Sequence, residues 1–474
     1  MSDVDRKMSL GVIVGTRGFF NPDLARRGRQ EVLARLKSLG VRTCVLPADA
    51  TAHGAVETLE DAEKCARFFH EHRDEIDGVL VTLPNFGDEQ AIACALARAR
   101  LDVPVLVHGC DDELDKLDAP RRRDAFCGKL SVCNNLYQHG IPFTDTTYHT
   151  EALAGQEFAN DVQFFASVCR VVSGLRRARI GAIGTRPEPF RTMRISEKLL
   201  QASGITVVAV DLSEIIAAAK ALTDSDRAVK AAAKAMAAYG SWDDGIGADV
   251  RLRHAKLMCA VQRWIDDNGI HAFAMQCWTS LQLNYGCQAC LTMSMLGERY
   301  IPGACETDVN GVLSMYALML AGASPAALID WNNNYADQRD KCVAQHCCNW
   351  PRSFFARPVQ VTYPAVLSAA LGRDKTFGAI QAKAAAGDMS YCRISNDDTH
   401  GRLRAYVGDG EFTDDPFEMP GGIAVVRIPN LQNLMKYMCR NGFEHHAGMA
   451  RGHTAEVLTE AFGTYLKWDV YKHQ

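Results

Sequence analysis

Leu10-Gly-Val-Ile-Val-Gly15, an apolar run closed by glycine and followed by a helical pattern over 22–39, decides the fold. The same alternation continues. Val41-Arg-Thr-Cys-Val-Leu46, Gly78-Val-Leu-Val-Thr82 and Pro104-Val-Leu-Val-His108 read as strands, with helical patterns over 58–72 and 89–99 between them. Strands that are apolar throughout belong to a parallel sheet covered on both faces by helices. Residues 1–165 are therefore expected to form one doubly wound α/β domain.

Downstream the pattern restarts. Arg179-Ile-Gly-Ala-Ile-Gly184 and Ile205-Thr-Val-Val-Ala-Val210 read as strands, with a helix near 194–203 and an Ala/Lys-rich helical stretch over 215–239. A second α/β domain over 166–322 is the expectation. From about Tyr363 short runs are split by glycine, aspartate and proline, as in Gly408-Asp-Gly-Glu-Phe-Thr-Asp-Asp-Pro416. That texture predicts an antiparallel, β-rich C-terminal domain, 323–474, closed by a helix over 454–466.

Composition narrows the function. The 474 residues are 47% hydrophobic and 23% charged, with a net charge of −4, so a packed core is affordable and a nucleic-acid partner is disfavoured. No apolar run reaches the roughly 18 residues of a membrane span. The charged start Met1-Ser-Asp-Val-Asp-Arg-Lys7 lacks the apolar segment of a secretory leader. Seventeen cysteines in a chain of this length read as free thiols in a reducing compartment, which places the protein in the cytoplasm. Cys287-x-x-Cys290 stands without the second pair of a structural zinc site.

Both glycine turns lack the G-x-G-x-x-G spacing that brings backbone to a pyrophosphate, so no nucleotide is expected. Each is followed by an arginine, Arg17 or Arg186, beyond the C-terminal end of a strand, where open α/β sheets bind ligands. Arg17 reads either as a ligand contact or as the partner of a surface carboxylate. Glu306, in Pro302-Gly-Ala-Cys-Glu306-Thr-Asp308, sits in apolar surroundings that a lone carboxylate tolerates poorly. Asp308 is placed to cap the helix that follows. Asp330 ends the apolar run Ala327-Leu-Ile-Asp330, and histidines follow at His346 and at His445-His446. Two acids with histidine suit Mn2+, Mg2+ or Co2+ better than a thiolate-loving ion.

These segments, in this order, resemble the L-fucose isomerase and L-arabinose isomerase superfamily, most closely its fucose-isomerase-like proteins. The resemblance rests on Gly15-Thr-Arg17, Asp77-Gly-Val-Leu-Val-Thr82, Gly181-Ala-Ile-Gly-Thr-Arg-Pro187, Gln276-Cys-Trp278, Ala304-Cys-Glu306-Thr-Asp308, Asp330-Trp331, His346-Cys347 and Gly442-Phe-Glu-His-His446. It implies two tandem Rossmann-like domains without a nucleotide, followed by a barrel-like C-terminal domain. The implied assembly is a homo-oligomer, hexameric or trimer-based, with shared active sites. The implied activity is metal-dependent aldose–ketose isomerisation of a free sugar through a cis-enediolate, with Mn2+ as the first choice of ion. Glu306 and Asp330 would bind the metal and shuttle the proton, with His446 and His346 as further ligands. Arg17, Gln276, Trp278 and His445 would hold the sugar. A non-catalytic sugar-binding or regulatory protein on the same fold is the alternative. Of the two adjacent histidines, His446 keeps the family ligand's offset to Gly452, and strand alternation would send His445 to the other face.

Overall fold

The computed structural model describes residues 4, 6–118 and 120–474; Met1–Asp3 and Asp5, part of the charged start, lie outside the described residues. The chain folds into two compact units, 1–173 with 460–467, and 174–459 with 468–474.

The first unit is built on five parallel strands, β1 (Ser9–Val14), β2 (Arg42–Val45), β3 (Gly78–Leu83), β4 (Val105–Gly109) and β5 (Thr144–Asp145), in the order β2-β1-β3-β4-β5. Every residue of β1, β3 and β4 is buried, the consequence of apolar runs covered from both sides. Alternation divides them cleanly. Val79, Val81, Val105 and Val107 pack with the helices Leu59–Glu71 and Glu89–Ala99, while Leu80 and Leu106 pack with Val32 and Leu36 of Pro22–Ser38. Thr58 and Asp61 form a reciprocal capping box at the start of one helix, and Asp88 caps the next.

The second unit carries two sheets. Its parallel sheet has the order β10-β9-β6-β7, formed from β6 (Arg179–Ile183), β7 (Thr206–Val210), β9 (Ala272–Met275) and β10 (Gly303–Ala304); β8 (Gly240–Trp242) leaves it for the other sheet. The helical stretch expected over 215–239 is two helices, Leu212–Ala221 and Arg227–Ala237. Between them the Asp226 carboxylate accepts from the Thr223 N–H, a local turn that competes with helix continuation.

The large sheet adds β11 (Ala326–Tyr335), β12 (Gln338–His346), β13 (Val359–Thr362), β14 (Ala379–Lys383), β15 (Gly387–Asp397), β16 (Arg402–Thr413), β17 (Gly422–Arg427), β18 (His446–Arg451) and β19 (Asp469–Lys472). It is mixed rather than purely antiparallel, because β8–β13, β14–β17 and β16–β19 run parallel. An extra pairing of β16 with β17 closes the strands β16-β15-β18-β11-β12-β17 into a ring, which removes their open edges. The expected closing helix is short, Ala455–Thr459, and continues as a π-turn over Glu460–Tyr465.

One helix organises this unit. Val309–Gly322 is buried at every position from Val309 to Ala321, as a sequence that is apolar on all sides apart from the hydrogen-bonded Asn310 and Ser314 requires. It lies so close to β18 that a Cβ on Gly448 would stand 3.1 Å from the Met315 backbone nitrogen. Glycine at 448 thus lets the strand that begins with His446 lie against the helix that begins after Asp308.

Candidate metal centre

Strand register assembles most of the centre. Asp330 of β11 pairs directly with His446 of β18, so the two side chains share a face. β12 lies on the other side of β11 and ends at His346. Glu306 arrives from the segment between β10 and the buried helix. Both Glu306 and Thr307 have φ of +55°, a left-handed conformation that costs a non-glycine residue about 1–2 kcal/mol. Strain of this kind persists where the surroundings over-determine it, commonly at functional sites.

The result is a cluster of facing donors. Glu306 Oε2 lies 3.5 Å from His446 Nε2 and 3.8 Å from His346 Nε2, and Asp330 Oδ1 lies 3.3 Å from His446 Nε2. Glu306 Oε2 and Asp330 Oδ1 are buried and make no hydrogen bond. The other Glu306 oxygen accepts from Trp278 Nε1 at 3.0 Å and from the Cys277 thiol at 3.5 Å, which fixes the carboxylate. Orphaned carboxylate oxygens opposite imidazole nitrogens are costly in isolation, and a divalent ion satisfies them together. The residues present fit the ion that the chemistry implies.

Electrostatics agree. Burial pushes the Asp330 carboxyl up, but His446 and His346 hold it down at about 2. Burial opposes the His446 imidazolium, yet Asp308, Asp330 and Glu306 raise its pKa to about 10. For His346, burial is outweighed by Cys347, Asp330 and Glu306, and its pKa stands at about 9. Protons on these imidazoles occupy the role that a cation would take.

Behind His446 is a chain of buried charge that the sequence reading missed. His446 Nδ1 donates to Asp308 Oδ2 at 2.8 Å, which leaves Nε2 to face Glu306 and Asp330. Asp308 also caps its helix by accepting from the Gly311 N–H at 2.8 Å, and it receives both terminal nitrogens of Arg393 at 2.6 and 3.2 Å. Arg393 continues to Glu444 at 3.1 Å, and Ser395 donates to Glu444 at 2.9 Å. Burial alone would raise the Asp308 pKa; Arg393 and His446 outweigh it and hold the carboxyl well below the ordinary range. Helix capping was legible at Asp308. Its second duty needs a partner, Arg393, from a different strand.

His445 departs from the alternation argument. β18 begins at His446, so His445 precedes the strand, and its Nε2 lies 3.6 Å from the same Asp330 oxygen. Both histidines therefore face Asp330. Burial and the neighbouring His446 charge lower the His445 pKa. Phe190 stands edge-on to Trp278 at 5.3 Å and to His445 at 6.0 Å between centroids, giving an aromatic wall of which the sequence had singled out Trp278 and His445 but not Phe190.

Two of the residues expected to contact the sugar have other partners. Gln276 accepts from the Thr185 N–H at 3.1 Å and lines a cleft of about 750 Å³ beside Asp211 and Asn284. Arg17 belongs to the first unit, where it pairs with Glu89 and lies over the Phe86 ring at 4.6 Å.

Comparison with known proteins accords with this architecture. Residues 11–176 match the model of the fucose/sulfoquinovose isomerase N-terminal domain, and residues 344–474 that of the L-fucose isomerase C-terminal domain. A sulfoquinovose isomerase from Alkalicoccus urumqiensis is 23% identical over 449 residues, covering 94% of this chain and 95% of the relative. Another from Priestia aryabhattai is 24% identical over 391 residues, covering 82% and 83% respectively. A third, from Clostridium sp. (strain MSTE9), is 26% identical over 256 residues, covering 51% of this chain and 54% of the relative. The chain belongs to the fucose isomerase-like family.

Proposed function

We propose that this chain is an aldose–ketose isomerase whose substrate is sulfoquinovose, a hexose carrying a sulfonate. The chemistry rests on one observation: Glu306 Oε2 and Asp330 Oδ1 are buried, without hydrogen bonds, and aimed at His446 and His346. The substrate rests on relatives of that name that align along nearly the whole chain. Glu306, Asp330, His446 and His346 would hold a divalent ion, Mn2+ in preference to Mg2+ or Co2+. When bound, the ion supplies positive charge next to the sugar oxygens as the C–H proton leaves.

The chain's own groups do the rest. Glu306 and Asp330 take the proton from one of C1 and C2 and return it to the other, by way of a cis-enediolate. Trp278 and Cys277 hold Glu306 in place through its Oε1. The wall of Trp278, Phe190 and His445 covers the ring and excludes water. Arg17 would meet the sugar in a cytoplasmic homo-oligomer, hexameric or trimer-based, with shared active sites, whereas Gln276, held on the Thr185 N–H, is not given a sugar contact.

The deciding experiment is dialysis against EDTA, metal add-back, and NMR observation of sulfoquinovose, L-fucose and other aldoses without added nucleotide. Metal-restored conversion of sulfoquinovose to its ketose is the expected result. Metal-restored conversion of another aldose alone overturns the substrate; no metal-restored conversion of any sugar overturns the mechanism.

A further inference from the structure

Seventeen cysteines are free in the structure, and four of them, Cys277, Cys290, Cys305 and Cys347, gather around and behind Glu306. The sulfur atoms of Cys290, Cys305 and Cys347 all lie within 4.8 Å of one another. They come from three separate places: the start of the helix Cys290–Gly297, the residue before Glu306, and the residue after His346. Cys290 and Cys305 are fully buried, and Met293 Sδ lies 3.8 Å from the Cys305 sulfur. Cys347 lines an almost wholly apolar cavity of about 320 Å³, together with Trp278, Gln345 and Gly421. The trio thus has an opening. Cys287, the nearest cysteine in sequence to Cys290, is not part of it.

We infer that Cys290, Cys305 and Cys347 form a second metal site, specific for a soft closed-shell ion such as Zn2+, Cd2+ or Cu+. Three ligands around such an ion at the usual zinc–sulfur distance of about 2.3 Å stand about 4 Å apart, within the spacing already present. Thiolates select soft ions, whereas the neighbouring oxygen and imidazole set selects harder ones. The two sites are thus told apart by their donor atoms, although Cys305 and Cys347 are the chain neighbours of Glu306 and His346. Each sulfur–metal bond forms as one S–H proton leaves to solvent, with no change of oxidation state. The site stands on sulfur geometry and does not depend on the isomerase reading.

Cadmium titration of the reduced, EDTA-treated full chain tests it, with Mn2+ present to saturate the carboxylate centre. A sulfur-to-cadmium charge-transfer band should saturate at one equivalent and disappear in Cys290→Ala, while Cys287→Ser retains it. Alkylation mapped by mass spectrometry provides a readout that needs no variant. Cadmium should slow modification of Cys290, Cys305 and Cys347 in the wild-type protein and leave exposed Cys127 and Cys439 reacting at their usual rates. No band, a band undiminished in folded Cys290→Ala, or protection at other cysteines instead of these three overturns the proposal.

Discussion

Replacing Asp308 with asparagine exchanges one oxygen for an NH2 group at a position where both oxygens are occupied. Oδ1 accepts from the Gly311 N–H and one Arg393 nitrogen; Oδ2 accepts from the other Arg393 nitrogen and from His446 Nδ1. An asparagine that keeps its oxygen on Gly311 preserves the helix cap, since asparagine caps as well as aspartate. Its NH2 must then face two donors. Arg393 loses a buried counter-charge and keeps only Glu444. Removing one partner of a buried pair costs about 3–5 kcal/mol, and the remaining carboxylate puts this case near 3.

The consequence for metal is sharper. Opposite an NH2 group, His446 Nδ1 must become an acceptor, so the proton moves to Nε2, the nitrogen that faces Glu306 and Asp330. That tautomer cannot ligate through Nε2. Loss of an orienting partner typically lowers metal affinity by about 10–100-fold. Mn2+ affinity measured by calorimetry, beside thermal unfolding of the chelated protein, reads both effects. Asp308→Ala should fall further in stability by about 1 kcal/mol, the lost cap. Folded Asp308→Asn with wild-type Mn2+ affinity would refute the orienting role.

Other outcomes follow from the same geometry. Glu306→Gln should lower turnover by about 10²–10⁴-fold, the usual worth of a positioned acid–base group, with thermal stability unchanged; near-normal progress curves would remove Glu306 from the chemistry. Because metal must displace the protons held by His446 and His346, with pKa values of about 10 and 9, affinity should climb as pH rises from 7 towards 9. A flat affinity profile over that range would show that these imidazoles do not ligate. The chelated protein should move the other way. Both pKa values are raised, so the stability they confer is full below the unfolded value of about 6.5 and is lost as pH rises through 9–10, checked by unfolding temperature. His446→Ala should strip bound metal, whereas His445→Ala should retain metal and weaken sugar binding; equal metal loss from both would make His445 a ligand.

Periodicity made the parallel sheets legible. β1, β3 and β4 are apolar on both faces, a signal that depends only on local composition. The large sheet was harder for a physical reason. β8 joins it from more than a hundred residues upstream of β13, and the pairing of β16 with β17 closes the ring. Nothing within either segment announces its partner. The break between Leu212–Ala221 and Arg227–Ala237 turns on one side-chain hydrogen bond from Thr223 to Asp226, against a background of alanine and lysine that favours helix throughout.

The centre divides along the same line. Glu306 and Asp330 could be singled out because each is a carboxylate in or at the end of an apolar run, a local anomaly that burial makes expensive, whereas His346 and His446 were reached as ligands through the family resemblance. Arg393 is more deeply buried than any of them, yet it sits in Tyr391-Cys-Arg-Ile394 looking like an ordinary outward residue of an alternating strand. Its reason for being buried is Asp308 and Glu444, from two other parts of the chain. The thiol trio is the same case, since Cys290 finds Cys305 and Cys347 rather than the Cys287 that its spacing suggested. The carboxylates of the candidate centre betray themselves by local cost. The residues that aim the centre are compensated by partners distant in sequence, so only the folded chain reveals that Arg393, through Asp308, decides which nitrogen of His446 is free.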